Sequence, residues 1–249
     1  MTLDRLRAFD AVVFDMDGVL LDSEPLHLLA MNRVIATEGH PAFSDEQNHR
    51  FVGNSLEATW TEVHRLLGLR HSLEHYYQVY DAEVLRALRQ EALVPLDGVH
   101  ELLAELRNLG QRVGLATQSH RGWVDATLQG LGLASSFASI ASGEMVQRGK
   151  PAPDLYLLVC ALLGADPRRS LAIEDSLPGV RAARAAGMTV VGVRNVYAGD
   201  RLEGEADLIV DRLDALLAPT TLWPSSPPVA TLDDESRSPE LAAGSGWAL

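Results

Sequence analysis

The feature that most constrains the fold is a rhythm of short apolar, β-favouring runs separated by helical patterns. Such runs occupy residues 11–14, 112–116, 137–141, 170–173, 189–193 and 207–210. Each is too short for a helix and rich in Val, Ile, Leu or Ala, as buried strands are. Helical periodicity fills residues 99–109, 123–131, 153–163 and 178–186 between the later runs. Strand alternating with helix predicts a parallel sheet covered on both faces, because only a crossover returns the chain to start the next parallel strand.

Residues 24 to 94 break the rhythm. They hold three helical patterns, 25–37, 56–67 and 73–89, and no convincing strand. Ser23 ahead of Glu24 and Pro25 reads as a helix start, with a capping hydroxyl and Pro in the first turn. The expected fold class is therefore α/β: a Rossmann-like parallel sheet with helices on both faces, plus an inserted all-helical cap domain. The core would comprise residues 1–21 and 96–218, and the cap residues 22–95. Hinges fall at Asp22–Ser23 and around residues 94–98. Residues 219–249 are rich in Pro, Ser and small residues, lack periodicity, and read as a disordered tail.

Composition narrows the partners. The net charge of −13 over 249 residues argues against a nucleic acid or an anionic membrane surface as partner. It leaves room for a small anionic substrate wherever a bound cation inverts the local field. No stretch reaches the roughly 20 apolar residues of a membrane span, and no secretory signal is evident at the N-terminus. A single cysteine, Cys160, allows no intramolecular disulfide and fits a reducing, cytoplasmic setting. No coiled-coil pattern asks for self-association, so a monomer is expected. Lys150 is the only lysine in an arginine-rich chain, which suggests that a compact ammonium is needed there.

The chemistry-bearing residues cluster at the ends of the strand runs. Asp15 and Asp17 follow the first, two residues apart, so extended backbone sends both carboxylates to one side. Two acids this close repel unless a cation joins them or one is protonated. A hard cation such as Mg²⁺ suits an oxygen-only site and tolerates phosphate oxygens. Gly18 lets the backbone turn sharply and bring N–H groups near an anion. Glu174 and Asp175 end the run at 170–173. Thr117 ends the run at 112–116 and offers a hydroxyl, while Ser119 reads as the cap of the following helix. Lys150 precedes Pro151-Ala152-Pro153-Asp154, a stiff turn into a helix. In a parallel sheet these ends share one edge, where open α/β sheets bind ligands.

With these residues in view, the chain resembles the haloacid dehalogenase superfamily, in the subgroup with a helical cap inserted after the first motif. The first motif is Asp15-Met16-Asp17-Gly18-Val19-Leu20-Leu21-Asp22-Ser23-Glu24-Pro25. Thr117 matches the second and Lys150-Pro151-Ala152-Pro153-Asp154 the third. The fourth is Glu174-Asp175-Ser176 with Gly179 and Ala185-Ala186-Gly187-Met188. The resemblance covers residues 9–218. It implies a Mg²⁺-dependent phosphotransferase acting on a small phosphorylated metabolite. Asp15 would be the nucleophile that becomes an aspartyl phosphate, and Asp17 the general acid and base. Asp15, Asp175 and the Asp17 carbonyl would hold the metal. Glu174 would bind it through water or orient Lys150. Thr117, Lys150 and Gly18 would bind the phosphoryl group. In the cap, Glu24, His27, Asn54 and Ser55 would face the substrate, the last two on the loop 52–55.

Competing readings are weighed on the same residues. Dehalogenases of the superfamily lack an acid at the position of Asp17, so phosphoryl chemistry is favoured. Sugar-phosphate phosphatases and β-phosphoglucomutase both resemble the chain, and His27 matches a hinge histidine of the mutase. The mutase pattern also uses a basic residue after the cap glycine loop, which 51–55 lacks, and a cap lysine, for which only Arg86 or Arg89 could substitute. A phosphatase is therefore the expectation and the mutase the alternative. His71-Ser72-Leu73-Glu74-His75 fits one zinc-peptidase pattern, but no third ligand is evident. Residues 143–150 imitate a phosphate loop, yet Pro151 stands where Ser or Thr is required.

Overall fold

The computed structural model describes residues 2–52, 55–195, 197, 199–219 and 223. A helix α1 (Thr2–Arg7) leads into strand β1 (Ala11–Phe14). Among the described residues four helices follow with no strand between them: α2 (Glu24–Ala36), α3 (Asp45–Asn48), α4 (Leu56–Leu67) and α5 (Leu73–Gln90). The alternating portion then runs α6 (Val99–Asn108), β2 (Arg112–Ala116), α7 (Arg121–Gly130), β3 (Ser139–Ala141), α8 (Asp154–Leu163), β4 (Leu171–Glu174), α9 (Leu177–Ala185), β5 (Thr189–Val193) and β6 (Leu208–Val210). The six strands form one sheet in the order β3-β2-β1-β4-β5-β6, with every pair parallel. Among the described residues no helix is long and apolar enough to cross a membrane.

The period-2 geometry of the strands sorts their side chains between two cores. Val12 and Phe14 of β1, Leu115 of β2, Ile173 of β4 and Val191 of β5 face a cluster built with α6 and α7. Val13, Ala172 and Val190 face the opposite cluster, packed under α8 and α9. Both faces are covered, so the strands read as continuous apolar runs rather than alternating ones. Phe14 meets Phe137 edge-on, with ring centroids 6.0 Å apart.

The helical insert has a third core of its own. Met31, Val34 and Ile35 of α2 pack with Trp60 and Val63 of α4 and with Tyr76, Tyr80 and Val84 of α5. Trp60 stacks on Tyr76, with centroids 5.4 Å apart and planes 6° from parallel. Ala126 of α7 is buried in the same cluster and Trp123 packs against it, which seats the insert on the sheet's α7 side.

Some local expectations shift. Ser23 does stand at the start of α2, but its hydroxyl makes no capping bond; Asp22 accepts from the Glu24 N–H at 3.2 Å instead. β3 begins two residues later than the apolar run suggested, because Phe137 turns into the core ahead of the ladder. The short α3 and its capping box, Ser44 with Gln47, were not anticipated. Trp223, within the segment read as a disordered tail, packs on Phe9 at 6.3 Å between centroids. The rest of that tail beyond Pro219 lies outside the described residues.

Candidate active site

Parallel strands put all their carboxyl ends on one edge, and the expected residues meet there. Asp15 follows β1 with its N–H donating to the Ile173 carbonyl at 2.9 Å, so β1 and β4 continue their pairing up to the site. Lys150 reaches across from the turn before α8. Its ammonium donates to Asp15 Oδ1 at 2.5 Å and to Glu174 Oε1 at 2.6 Å. The Lys150 side chain is only 5% exposed and Glu174 is fully buried. Burial opposes the ammonium's charge, but the two flanking carboxylates outweigh it and hold its pKa above the usual lysine range.

Glu174 is saturated. Oε1 also accepts from the Tyr156 hydroxyl at 2.7 Å, and Oε2 accepts from the Asp175 N–H, the Ser176 N–H and the Ser176 hydroxyl at 3.1–3.2 Å. A Cβ on Gly179 would lie 1.8 Å from this carboxylate, so only glycine fits beneath it. Of the two roles that the resemblance offered, this bonding fits orientation of Lys150.

Carboxylate oxygens of Asp15, Glu174 and Asp175 lie within 4.8 Å of one another. Burial, reinforced by Glu174 and Asp17 and opposed by Lys150, pushes the Asp15 carboxyl up to about 7. Burial and then Glu174 and Asp15 raise Asp175 well above the carboxylate range. Crowded buried acids of this kind are relieved by a cation, and a set of oxygens with no sulfur or imidazole fits Mg²⁺. Gly18 supports the fit. Its φ is +75°, and a Cβ there would lie 1.9 Å from Asp175 Oδ2.

Asp17 stands apart from that cluster. Its Oδ2 accepts from the Ser119 hydroxyl at 2.7 Å. Ser119 is therefore an acid-orienting residue in this geometry and not a helix cap; α7 starts after His120, with no side-chain cap. Thr117 is buried, and its hydroxyl oxygen accepts from the Ser119 N–H at 3.0 Å, which leaves the hydroxyl proton as a donor.

Of the expected residues on the helical insert, Glu24 and His27 approach this edge from α2. Burial, Asp22 and Asp17 push Glu24 up to about 7, against a hydrogen bond from Asn48. The His27 Nδ1 pairs with the Tyr80 hydroxyl at 2.8 Å, and its ring lies 5.5 Å from Trp123. Burial lowers the His27 pKa and Asp17 opposes that shift, so the direction is toward the neutral ring. Ser55 caps α4, accepting from the Ala58 N–H at 3.1 Å. Asn54 lies outside the described residues. Arg86 is exposed and pairs with Glu83 on its own helix. His71 and His75 are exposed around the first turn of α5, rings 4.4 Å apart, and belong to no group of three possible metal ligands among the described residues. The zinc reading finds no support in that arrangement.

Sequence reasoning missed Tyr156, Tyr80 and Asn195, and assigned Ser119 another role. Ser119 and Asn195 had a usable signal: each is a polar residue within three positions of a strand's carboxyl end. The two tyrosines had none, since both read as core aromatics on amphipathic helices.

Comparison with known proteins identifies the family. Residues 12–193 match the family described as haloacid dehalogenase-like hydrolase. A phosphorylated carbohydrates phosphatase from Thermotoga maritima is 34% identical over 179 residues, spanning 72% of this chain and 82% of the relative. The β-phosphoglucomutase of Bacillus subtilis is 32% identical over 212 residues, spanning 80% and 88%. The crystal structure of a CbbY variant from Rhodobacter sphaeroides in complex with xylulose-(1,5)bisphosphate superimposes with a TM-score of 0.70 at 26% identity, over 82% of this chain and 95% of that one. The chain therefore belongs to the haloacid dehalogenase-like hydrolase family.

Proposed function

We propose that this chain is a Mg²⁺-dependent phosphatase that hydrolyses a small phosphorylated metabolite, a sugar phosphate or phosphoglycolate, through an aspartyl phosphate on Asp15. One observation carries the reading: the Asp15–Lys150–Glu174 ion cluster shares a sheet edge with Asp175 and with the separately held acid Asp17. Relatives that act on phosphorylated carbohydrates and on phosphoglycolate support the substrate class.

Asp15 attacks phosphorus in line, and the leaving oxygen takes a proton from Asp17. Asp17 then draws a proton from the water that hydrolyses the acyl phosphate. The Ser119 hydroxyl holds the Asp17 carboxylate through both steps. Lys150 and Thr117 bind the phosphoryl oxygens; the Gly18 N–H is committed to the Leu21 carbonyl at 2.8 Å, so the part of Gly18 is to make room for Asp175. Asp15, Asp175 and the Asp17 carbonyl would hold Mg²⁺, which supplies charge neutralisation between the nucleophile and the phosphoryl group. Residues 22–95 act as a cap that closes over this edge, excludes water and selects substrate through Glu24, His27 and the loop 52–55. The phosphomutase reading is weaker, because His27 pairs with neutral Tyr80 and the cap brings no lysine to it.

The test is phosphate release from a panel of sugar phosphates, phosphoglycolate, nucleotides and β-glucose 1-phosphate, with Mg²⁺ and with EDTA. Release that EDTA abolishes and Mg²⁺ restores is the expected result. Conversion of β-glucose 1-phosphate to glucose 6-phosphate without release would replace the phosphatase by the mutase.

Gly18→Ala is expected to weaken Mg²⁺ binding by about tenfold or more, since Asp175 must swing away from the new Cβ. Titration calorimetry measures this. Wild-type affinity in the variant would remove Asp175 from the ligand set.

A further inference from the structure

The chain leaves β5 at Val193 and crosses the same sheet edge two residues later. There the Asn195 amide donates to Asp175 Oδ2 at 2.7 Å. The Tyr197 backbone N–H donates to Asn195 Oδ1 at 2.9 Å, closing a turn that fixes which way the amide faces. The Tyr197 side chain points to the insert. Its hydroxyl reaches the hinge carboxylate Asp22 at 3.4 Å, and its ring lies 6.0 Å from the ring of His49 just after α3. Asp22 in turn holds the first turn of α2 through the Glu24 N–H. Burial, with Asp22 and Glu24 nearby, pushes the Tyr197 phenol up to about 12, so it stays a hydrogen-bond donor at any working pH.

The hinge lies beside this contact. Its two linkers touch where the Leu96 N–H donates to the Leu20 carbonyl at 2.9 Å. They also line a cavity of about 470 Å³, with Asp22, Pro25 and Leu26 on one side and Leu93, Val94 and Leu96 on the other.

We propose that Asn195 and Tyr197 are positioning residues that couple the setting of Asp175 toward Mg²⁺ to closure of the cap. The inference rests on the reading of Asp175 as a metal ligand. The Tyr197 turn helps hold the Asn195 amide against the carboxylate, and Asp22 and His49 brace that turn while the cap lies over the edge. Linkage makes the effect reciprocal: if closure tightens metal binding, metal binding favours closure by the same factor.

Hydrogen exchange at residues 20–26 and 94–98, with and without Mg²⁺, tests this in the full chain, alongside calorimetric Mg²⁺ affinity. In the wild type Mg²⁺ should slow exchange at both linkers. Tyr197→Phe keeps the ring against His49 and removes only the hydroxyl. It should raise the Mg²⁺ dissociation constant about threefold and lose most of the metal-linked protection. Asn195→Ala should raise that constant about tenfold. Full wild-type protection in Tyr197→Phe, or a wild type that binds Mg²⁺ with unchanged linker exchange, overturns the coupling. A wild type that neither binds Mg²⁺ nor releases phosphate overturns instead the site reading beneath it, and the coupling with it.

Discussion

Asp15→Asn protein is expected to fold and to lose phosphate release by a factor on the order of 10⁶, as when a covalent nucleophile is removed elsewhere. The amide matches the carboxylate in size, so the packing around Phe14 and Met16 is undisturbed, but it cannot accept a phosphoryl group. The substitution should also stabilise the metal-free chain in a pH-dependent way. The folded carboxyl is pushed up to about 7 from an ordinary value of 3.8. Between those values the folded state binds the proton more tightly than the unfolded one. The stability that goes with it is present below about pH 4 and is lost as pH rises through about 7. A shift of this size corresponds to about 4 kcal/mol at most. Asp15→Asn escapes the loss, so without metal its advantage over wild type should be largest above pH 7 and absent near pH 4. Urea unfolding at the two pH values, with EDTA, measures it. Mg²⁺ should shrink the difference, because a cation beside the buried Asp15 carboxylate favours its charged form in the wild type. Turnover within about a hundredfold of wild type would dismiss Asp15 as nucleophile.

The parts of this molecule that were legible from sequence are those where one local rule decides. The bounds of β1, β2 and β5 match the apolar runs, because strands buried on both faces have no other way to be written. Asp15, Thr117, Lys150, Glu174 and Asp175 could be gathered from sequence, since parallel topology sends all strand ends to one edge. What could not be read depends on side chains that meet across long separations. Whether Glu174 would hold metal or hold Lys150 turns on Tyr156, from helix α8, and on a glycine beneath the carboxylate. Ser119 was read as a helix cap for a related reason: a Ser just before a helix is usually one, and the loop geometry instead gives its hydroxyl to Asp17. The pairing of His27 with Tyr80 spans 53 residues, and nothing in the pattern of α5 marks one tyrosine among several.

Lys150→Met should cost both stability and rate, and the two losses should separate when Mg²⁺ is added. In the wild type one ammonium sits between Asp15 and a fully buried Glu174, 5.2 Å over the Tyr156 ring. Methionine fills the slot but leaves two buried carboxylates with no cation, a situation that costs about 3–5 kcal/mol. The cost should grow with pH. Lys150 lowers the Asp15 carboxyl, so its removal lifts the folded pKa further, and the variant loses more stability than wild type as pH rises from about 4 past 7. Mg²⁺ should restore part of that stability, because it brings positive charge back to Asp15 and Asp175. It should not restore the rate, expected to fall by about 10² to 10³, since the donor to the transferring phosphoryl oxygens is gone. Lys150→Arg sharpens the point. A planar guanidinium cannot place a single donor between two oxygens at 2.5 and 2.6 Å, so it should recover stability better than rate. Chemical denaturation and phosphate release, each with and without Mg²⁺, read the two effects independently. If Lys150→Met kept wild-type stability in EDTA at pH 8, the buried ion cluster would not be what sets this site; if it kept the wild-type rate, Lys150 would have no part in binding phosphate.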